Sequence, residues 1–513
     1  MNRMIPVMAL SLVALVGLVF LISPGKPPSP SQVTKTEDGE VAPPSAVEPI
    51  SIFCAASNRA VMEAVRADYE AEFGVTVEIQ YGPSNTLLSS AEVSETGDLY
   101  LPADDSYLDI ARERKLVDEI VSVAAMQGVV VVKKDNPSAI KAFDDLLGES
   151  VRLVQASPDG AAIGKQAREV LTKQNLWDKL DAATTAYRTT VNDVANDVKV
   201  GAADAGIVYD AVLHTYPDLE YVELPELSDV RADIAIGVLR STTSSQRALH
   251  FARYLAAEDR GLKRYREFGF RTEKGDEWAD RPEIKLFAGS MLRPAIEETI
   301  KLFEEREGVI VDRVYNGCGI LVGQMKAGQH PDAYFACDSE FMAQVTDLFP
   351  KSDAVSKNEL VIMVHKGNPK GIKSLKDLSQ PGLRVGIGHE KQCAMGWLTQ
   401  RTLKEGGVQT EVMENVTVQT PTGDMLVNQL RAGSLDAAVA YLSNAAGSGE
   451  FLDAIRIEGL DCAKATQPFA VAKDSKYPQT VKRMHDAILT AESKQRFLLE
   501  GFRWERDSEP AAE

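Results

Sequence analysis

Two stretches of this chain repeat each other at a nearly constant distance. Phe53-Cys-Ala-Ala-Ser57 returns as Phe287-Ala-Gly-Ser290, Tyr81-Gly-Pro-Ser84 as Tyr315-Asn-Gly-Cys318, and Asp98-Leu-Tyr-Leu-Pro-Ala-Asp104 as Asp332-Ala-Tyr-Phe-Ala-Cys-Asp338. The register continues through Asn136-Pro137 with Asn368-Pro369, Asp145-Leu146 with Asp377-Leu378, and Asp204-Ala-Gly-Ile-Val-Tyr209 with Asp436-Ala-Ala-Val-Ala-Tyr441, at offsets between 232 and 234 residues. A period this long marks duplicated domains, not a solenoid, whose repeats run to roughly 20–50 residues. The 513 residues therefore resolve into two homologous modules, 49–272 and 283–505, joined by a charged linker at 273–282 and followed by a tail at 506–513.

Within a module the periodicity alternates. Ile50 to Cys54 reads as a strand, Val61, Val65, Tyr69 and Phe73 fall on one helical face, and Val75, Val77, Ile79 and Tyr81 alternate as a strand does. Strand, helix, strand in sequence implies a parallel α/β sheet. A second set runs from Val151 through a helix at Ala167–Leu171 and another at Asp193–Val200 to a strand at Ala205–Tyr209. Val129–Val132 and Ile234–Leu239 sit where the chain would cross between two lobes and return. The expected fold class is α/β, with two tandem modules, each of two lobes with a cleft between them.

Composition excludes several functions. A net charge of −19 argues against nucleic acid as a partner. Five cysteines without a C-x-x-C exclude a dense disulfide scaffold and a zinc ribbon, and six scattered histidines without H-E-x-x-H exclude a zincin. No G-x-S-x-G occurs, so the chain is expected not to be an enzyme of the serine hydrolase kind, nor any other enzyme.

Ile5 to Ile22 is uncharged and reaches ~27 Å as a helix, close to the thickness of a bilayer core. Residues 1–23 read as a signal anchor or a signal peptide, and 24–48 as a Pro/Ser-rich linker. Both readings place the remainder outside the cytoplasm, tethered to the membrane by the first segment or released from it.

In open α/β sheets ligands collect at the carboxyl ends of strands, where helix N-termini point. Ser57 and Ser84 each stand between a strand and a helix. A serine there either caps its helix or joins the free N–H groups as an anion site. Ser157-Pro-Asp-Gly-Ala-Ala-Ile-Gly164 and Thr190-Val191-Asn192 offer similar turns in the opposite lobe, and Tyr209 ends a strand with a hydroxyl for the cleft or for a wet interface. Gly160 to Gln166 nearly matches a phosphate loop but lacks one spacer and the Ser or Thr after Lys165, which excludes a nucleotide phosphate.

The ordered set Ala55-Ala-Ser57, Gly82-Pro-Ser84-Asn-Thr-Leu87, Asp98 to Asp104, Ala161-Ala-Ile-Gly164 and Ala205-Gly-Ile-Val-Tyr209 resembles the periplasmic molybdate- or tungstate-binding proteins of ABC importers. The resemblance implies a type II periplasmic-binding fold closing over a tetrahedral oxyanion, with an ABC permease as partner and no cofactor. It assigns hydroxyl and N–H donors to Ser57 and Ser84, backbone N–H donors to Ile163 and Val191, and a phenol to Tyr209. Ile163 and Pro83 stand where that family has Ala and Ser. A dianion suits neutral donors, whereas phosphate would want an acceptor such as Asp159 or Asp193.

The second module departs from the pattern. Ser290 and Tyr441 are read in the places of Ser57 and Tyr209, with Cys318 for Ser84, Gly423 for Val191, Cys393 for Ala161 and Met395 close behind. Three outcomes follow: a pocket that no longer binds, an altered oxyanion pocket using Ser290, Cys318, Met395 and Tyr441, or a soft-metal or redox site using Cys318, Cys393 and His389. The leading expectation is delivery of molybdate or tungstate to an importer. The alternative is a tethered sensor or adaptor for phosphate, sulfate or, in the second module, a soft metal.

Overall fold

Two sheets with one and the same strand order carry the chain. The computed structural model describes residues 48–505. The apolar segment at 5–22, the linker up to residue 47 and the tail from 506 lie outside the described residues, among which no helix is long and apolar enough to cross a membrane.

The first sheet is built from β1 (Ile50–Ala55), β2 (Val77–Gly82), β3 (Leu99–Leu101), β4 (Val117–Lys133), β5 (Leu153–Ala156), β6 (Thr184–Arg188), β7 (Ala205–Tyr209), β8 (Leu219–Val222) and β9 (Arg231–Leu239). Its order is β2-β1-β3-β9-β4-β7-β5-β6, with β8 on β4. Pairs β1/β2, β1/β3, β5/β6 and β5/β7 are parallel, as the strand-helix-strand pattern predicts. The long β4 belongs to both lobes. Val117 to Gln127 pairs with β9, and Gly128 to Val132 pairs with β7. Gln127 fixes this change of partner, its backbone N–H donating to Asp210 Oδ1 at 3.0 Å and its amide to the Leu227 carbonyl at 2.8 Å. Val129 to Val132 are all fully buried, which explains their unbroken apolar run. Each such valine contributes roughly 1.5–3 kcal/mol of burial.

The second sheet repeats the plan with β10 (Glu283–Gly289), β11 (Ile310–Asn316), β12 (Ala333–Phe335), β13 (Asp353–His365), β14 (Val385–Gly388), β15 (Val416–Thr420), β16 (Ala437–Tyr441), β17 (Leu452–Arg456), β18 (Lys464–Val471) and β19 (Arg503–Trp504). Its order, β11-β10-β12-β18-β13-β16-β14-β15, maps strand for strand onto the first, and β17 and β19 also pair with β13.

The modules are bound to each other by buried charge. Glu307, almost wholly buried, receives Arg483 Nε at 2.5 Å and lies 3.5 Å from Arg253 of the first module. Burial alone would raise the Glu307 carboxyl, but the two guanidinium groups override it and hold it below its ordinary range. The stretch between the modules is packed as well: Asp276 is buried and accepts from the Thr480 hydroxyl at 2.6 Å and the Gln479 N–H at 2.7 Å.

Candidate functional site

Four strand-to-helix turns of the first module meet at one cavity. They are the 3-10 turn Ala56–Asn58 that runs into the helix Arg59–Phe73, and the starts of the helices Ser84–Ser94, Ala162–Lys173 and Val191–Val200. The cavity is lined by these turns, by Ala103 and Thr189, and by Tyr209 at the end of β7. Its volume is about 20 Å³, on the scale on which one water needs ~10–15 Å³. It is far too small for a peptide or a sugar.

All five residues expected at the first-module site, Ser57, Ser84, Ile163, Val191 and Tyr209, line this cavity. The serines are not spent on capping. Pro83 is the N-cap of the helix that Ser84 opens, and Asn58 that of the helix after Ser57, neither with a side-chain cap bond. Ser84 Oγ accepts the Ala103 N–H at 3.1 Å, and the Tyr100 hydroxyl donates to the Ser84 carbonyl at 2.8 Å, which fixes the turn. Ile163 and Val191 occupy first-turn positions, whose N–H groups have no partner inside the helix. Gly164 lets the Ile163 turn sit down on β5: a Cβ there would come within 2.5 Å of the Ala156 and Ser157 carbonyl oxygens.

No lining residue carries a charged side chain. Asp193 is used locally, closing a capping box with Thr190, whose hydroxyl donates to it at 2.7 Å. Asp159 is exposed and paired with Arg168 at 2.9 Å. Neither carboxylate that could accept a phosphate proton lines the cavity.

One partner of Tyr209 escapes the sequence reading. Its hydroxyl donates to Gln166 Oε1 at 3.0 Å, and Gln166 Nε2 donates to Asp104 Oδ2. Gln166 stands in the sequence only as the end of a near miss to a phosphate loop, and nothing in its spacing points to Tyr209.

The corresponding turns of the second module meet without such a space. The helix Cys318–Lys326 gives its Gly319 N–H to the Gln392 carbonyl of the opposite lobe at 3.1 Å, and a Cβ on Gly319 would lie 2.0 Å from the Lys391 oxygen. Gly423, in the place of Val191, leaves room only for the Asn444 side chain, 2.2 Å from where a Cβ would stand. Cys337 replaces Ala103, its Sγ 2.9 Å from Cys318 Sγ. Met395 and Cys393 are buried, burial pushing the Cys393 thiol up to about 12, and the buried Tyr441 hydroxyl has no hydrogen-bond partner.

Two expectations change here. Ser290 opens the turn Ser290–Leu292 as Ala56 opens Ala56–Asn58, both turns running into an arginine, so the place of Ser57 belongs to Met291. The serine is displaced by one residue. Cys318, Cys393 and His389 do not come together as a three-ligand set: among the described residues no group of three His, Cys, Asp or Glu side chains is disposed to hold a metal ion. His389 is engaged locally, its Nδ1 accepting the Lys391 N–H at 3.2 Å.

The family model for bacterial extracellular solute-binding proteins matches residues 50–271 and again 284–503. The chain belongs to that family, twice over. Among relatives of these solute-binding proteins, the molybdate-binding protein ModA of Escherichia coli K12 is 29% identical over 172 residues, covering 32% of this chain and 66% of its own. ModA of Mycobacterium tuberculosis H37Rv is 26% identical over 218 residues, covering 42% of this chain and 82% of its own. Among solved structures, the periplasmic molybdate-binding protein of Azotobacter vinelandii aligns at 17% identity and a TM-score of 0.40, over 44% of this chain and all of its own. The sulfate-binding protein SubI of Mycobacterium tuberculosis aligns at 18% identity and a TM-score of 0.39, over 44% of this chain and 88% of its own. The chain is thus a tandem solute-binding protein.

Proposed function

We propose that the first module captures one tetrahedral oxyanion, molybdate or tungstate, outside the cytoplasm and delivers it to an ABC permease. The observation that carries this reading is a small cavity walled by helix N-termini and hydroxyls and free of charged side chains. Helix N-termini bring partial positive charge to an anion without a counter-ion that would hold it too tightly for release. The absence of a lining carboxylate favours a fully ionised anion over protonated phosphate. The second module, its cleft filled by its own chain, acts as a closed companion rather than a second binding site. The segment 1–23 would hold the protein at the membrane face.

Calorimetry with molybdate, tungstate, sulfate and phosphate tests the reading. Molybdate and tungstate are expected to bind at one per chain and to be preferred. Each of Ser57→Ala and Ser84→Ala removes a hydrogen bond to a charged group, worth about 1.5–3 kcal/mol, or roughly ten- to a hundredfold in affinity. Failure of every oxyanion to bind, or indifference to both substitutions, refutes it.

A further inference from the structure

The hydrogen bonds behind Tyr209 have a direction. Gln166 Nε2 donates to the Asp104 carboxylate, which leaves Gln166 Oε1 to accept the Tyr209 proton at 3.0 Å. In this state the Tyr209 oxygen has only lone pairs left for the cavity it lines. A fully ionised oxyanion has only lone pairs too. For Tyr209 to donate to such an anion, its proton must leave Gln166. The amide then has to turn over, so that Nε2 donates to the Tyr209 oxygen and Oε1 faces Asp104. Oxygen against an ionised carboxylate is repulsive, and only a protonated Asp104, donating to Gln166 Oε1, restores every bond.

We propose that Gln166 and Asp104 are positioning residues that act through Tyr209 and couple capture of the dianion to uptake of one proton by Asp104. The proton comes from solvent and resides on the Asp104 carboxyl, and no covalent bond to the anion forms. The same contact spans the cleft. Asp104 follows β3 in one lobe, whereas Gln166 lies on the helix Ala162–Lys173 in the other, so the relay is made only when the lobes are together.

The chain contains its own comparison. Asp338 stands in the place of Asp104 and Tyr441 in that of Tyr209, but Leu398 takes the place of Gln166. There the buried tyrosine hydroxyl has no partner. The link is thus present where the cavity exists and missing where the cleft is filled.

The surroundings of Asp104 suit a proton acceptor. It is buried, and burial raises its carboxyl above the ordinary range, against the Ser106 hydroxyl and N–H and the Lys165 ammonium, which lower it. Asp233 and Asp105 add repulsion, and Tyr100, Tyr107 and Tyr209 are the remaining titratable neighbours. Because the complex holds one more proton than the free protein, affinity is greatest at low pH. It falls as pH rises above the free-state Asp104 pKa, by about tenfold per unit until the bound-state pKa is passed.

The proposal rests on the oxyanion reading above, and calorimetry of the full chain with molybdate separates the two. Titrations in buffers of different ionisation enthalpy, from about pH 6 to about pH 9, count the protons taken up per anion. The wild type is expected to take up about one proton at a pH where free Asp104 is ionised. Asp104→Asn mimics the protonated carboxyl, with its amide donating to Gln166 and its oxygen still accepting from the Ser106 N–H. It should bind at least as tightly as the wild type, take up no proton, and show a flat pH profile. Gln166→Leu installs the second module's own residue and should also abolish uptake. Wild-type binding without proton uptake, or undiminished uptake by Asp104→Asn, overturns the proposal while leaving the oxyanion reading intact. Absence of molybdate binding in all three proteins overturns both.

Discussion

Ala103→Cys would give the first module the thiol that the second carries at Cys337. Ala103 lines the cavity and gives its N–H to Ser84 Oγ at 3.1 Å, as Cys337 gives its N–H to Cys318 Sγ at the same distance. The cavity measures about 20 Å³, and a single water already needs ~10–15 Å³, so a sulfur atom takes most of the room. An anion that still entered would overpack the site at a cost of about 1–3 kcal/mol. At about 1.4 kcal/mol per factor of ten, that is a loss of roughly five- to over a hundredfold in molybdate affinity. Calorimetry reads the loss, and a thermal melt without anion should fall as well, because Cys337 Sγ lies 2.0 Å from where a Cβ on Gly289 would stand and the first module carries Ala55 in that place. Affinity within about twofold of the wild type would refute the reasoning, since it would mean that Ala103 does not bound the ligand.

Three further outcomes follow from named contacts. Glu307→Gln leaves Arg253 and Arg483 buried without their carboxylate and should cost about 3–5 kcal/mol in urea unfolding, while a loss below about 1 kcal/mol would show that the modules do not depend on it. Asp436 is held down to about 2 by its hydrogen bonds to Arg384, so this pair's contribution is present above the unfolded pKa of about 4 and is lost as pH falls through about 2. Acid unfolding of Asp436→Asn should accordingly show a shallower pH dependence in that window than the wild type. Gly319→Ala would push a Cβ onto the Lys391 oxygen and should destabilise the second module by about 1–3 kcal/mol, with no change in molybdate affinity.

Much of the fold was legible because duplication and periodicity report backbone arrangement. The strand Ala205–Tyr209 has the bounds its apolar run suggests, and the Val129–Val132 run lies in the strand that crosses between lobes. The helix with Val61, Val65 and Tyr69 buried also follows its 3.6-residue stripe. The cavity residues of the first module were legible for a related reason: a strand that ends in a small polar residue before a helix fixes where an N-terminus opens. Side-chain partnership was not legible. Gln166 meets Tyr209 and Asp104 only because two lobes close, and the distance along the chain from 104 to 166 to 209 carries no trace of it. The Ser290 displacement arose because a three-residue turn at the end of a strand tolerates a one-residue shift that short word matches cannot resolve. The self-filled cleft of the second module depends on glycines whose role lies in what approaches them, not in their own pattern.

The central claim is that one module binds and the other does not. Crystals of the chain grown with tungstate locate the heavy atom directly by anomalous scattering. The account predicts one tungsten per chain, between the Ser57 and Ser84 turns and those of Ile163 and Val191, and none between Cys318 and Gly423. A tungsten in the second cleft, or none in the first, would contradict it.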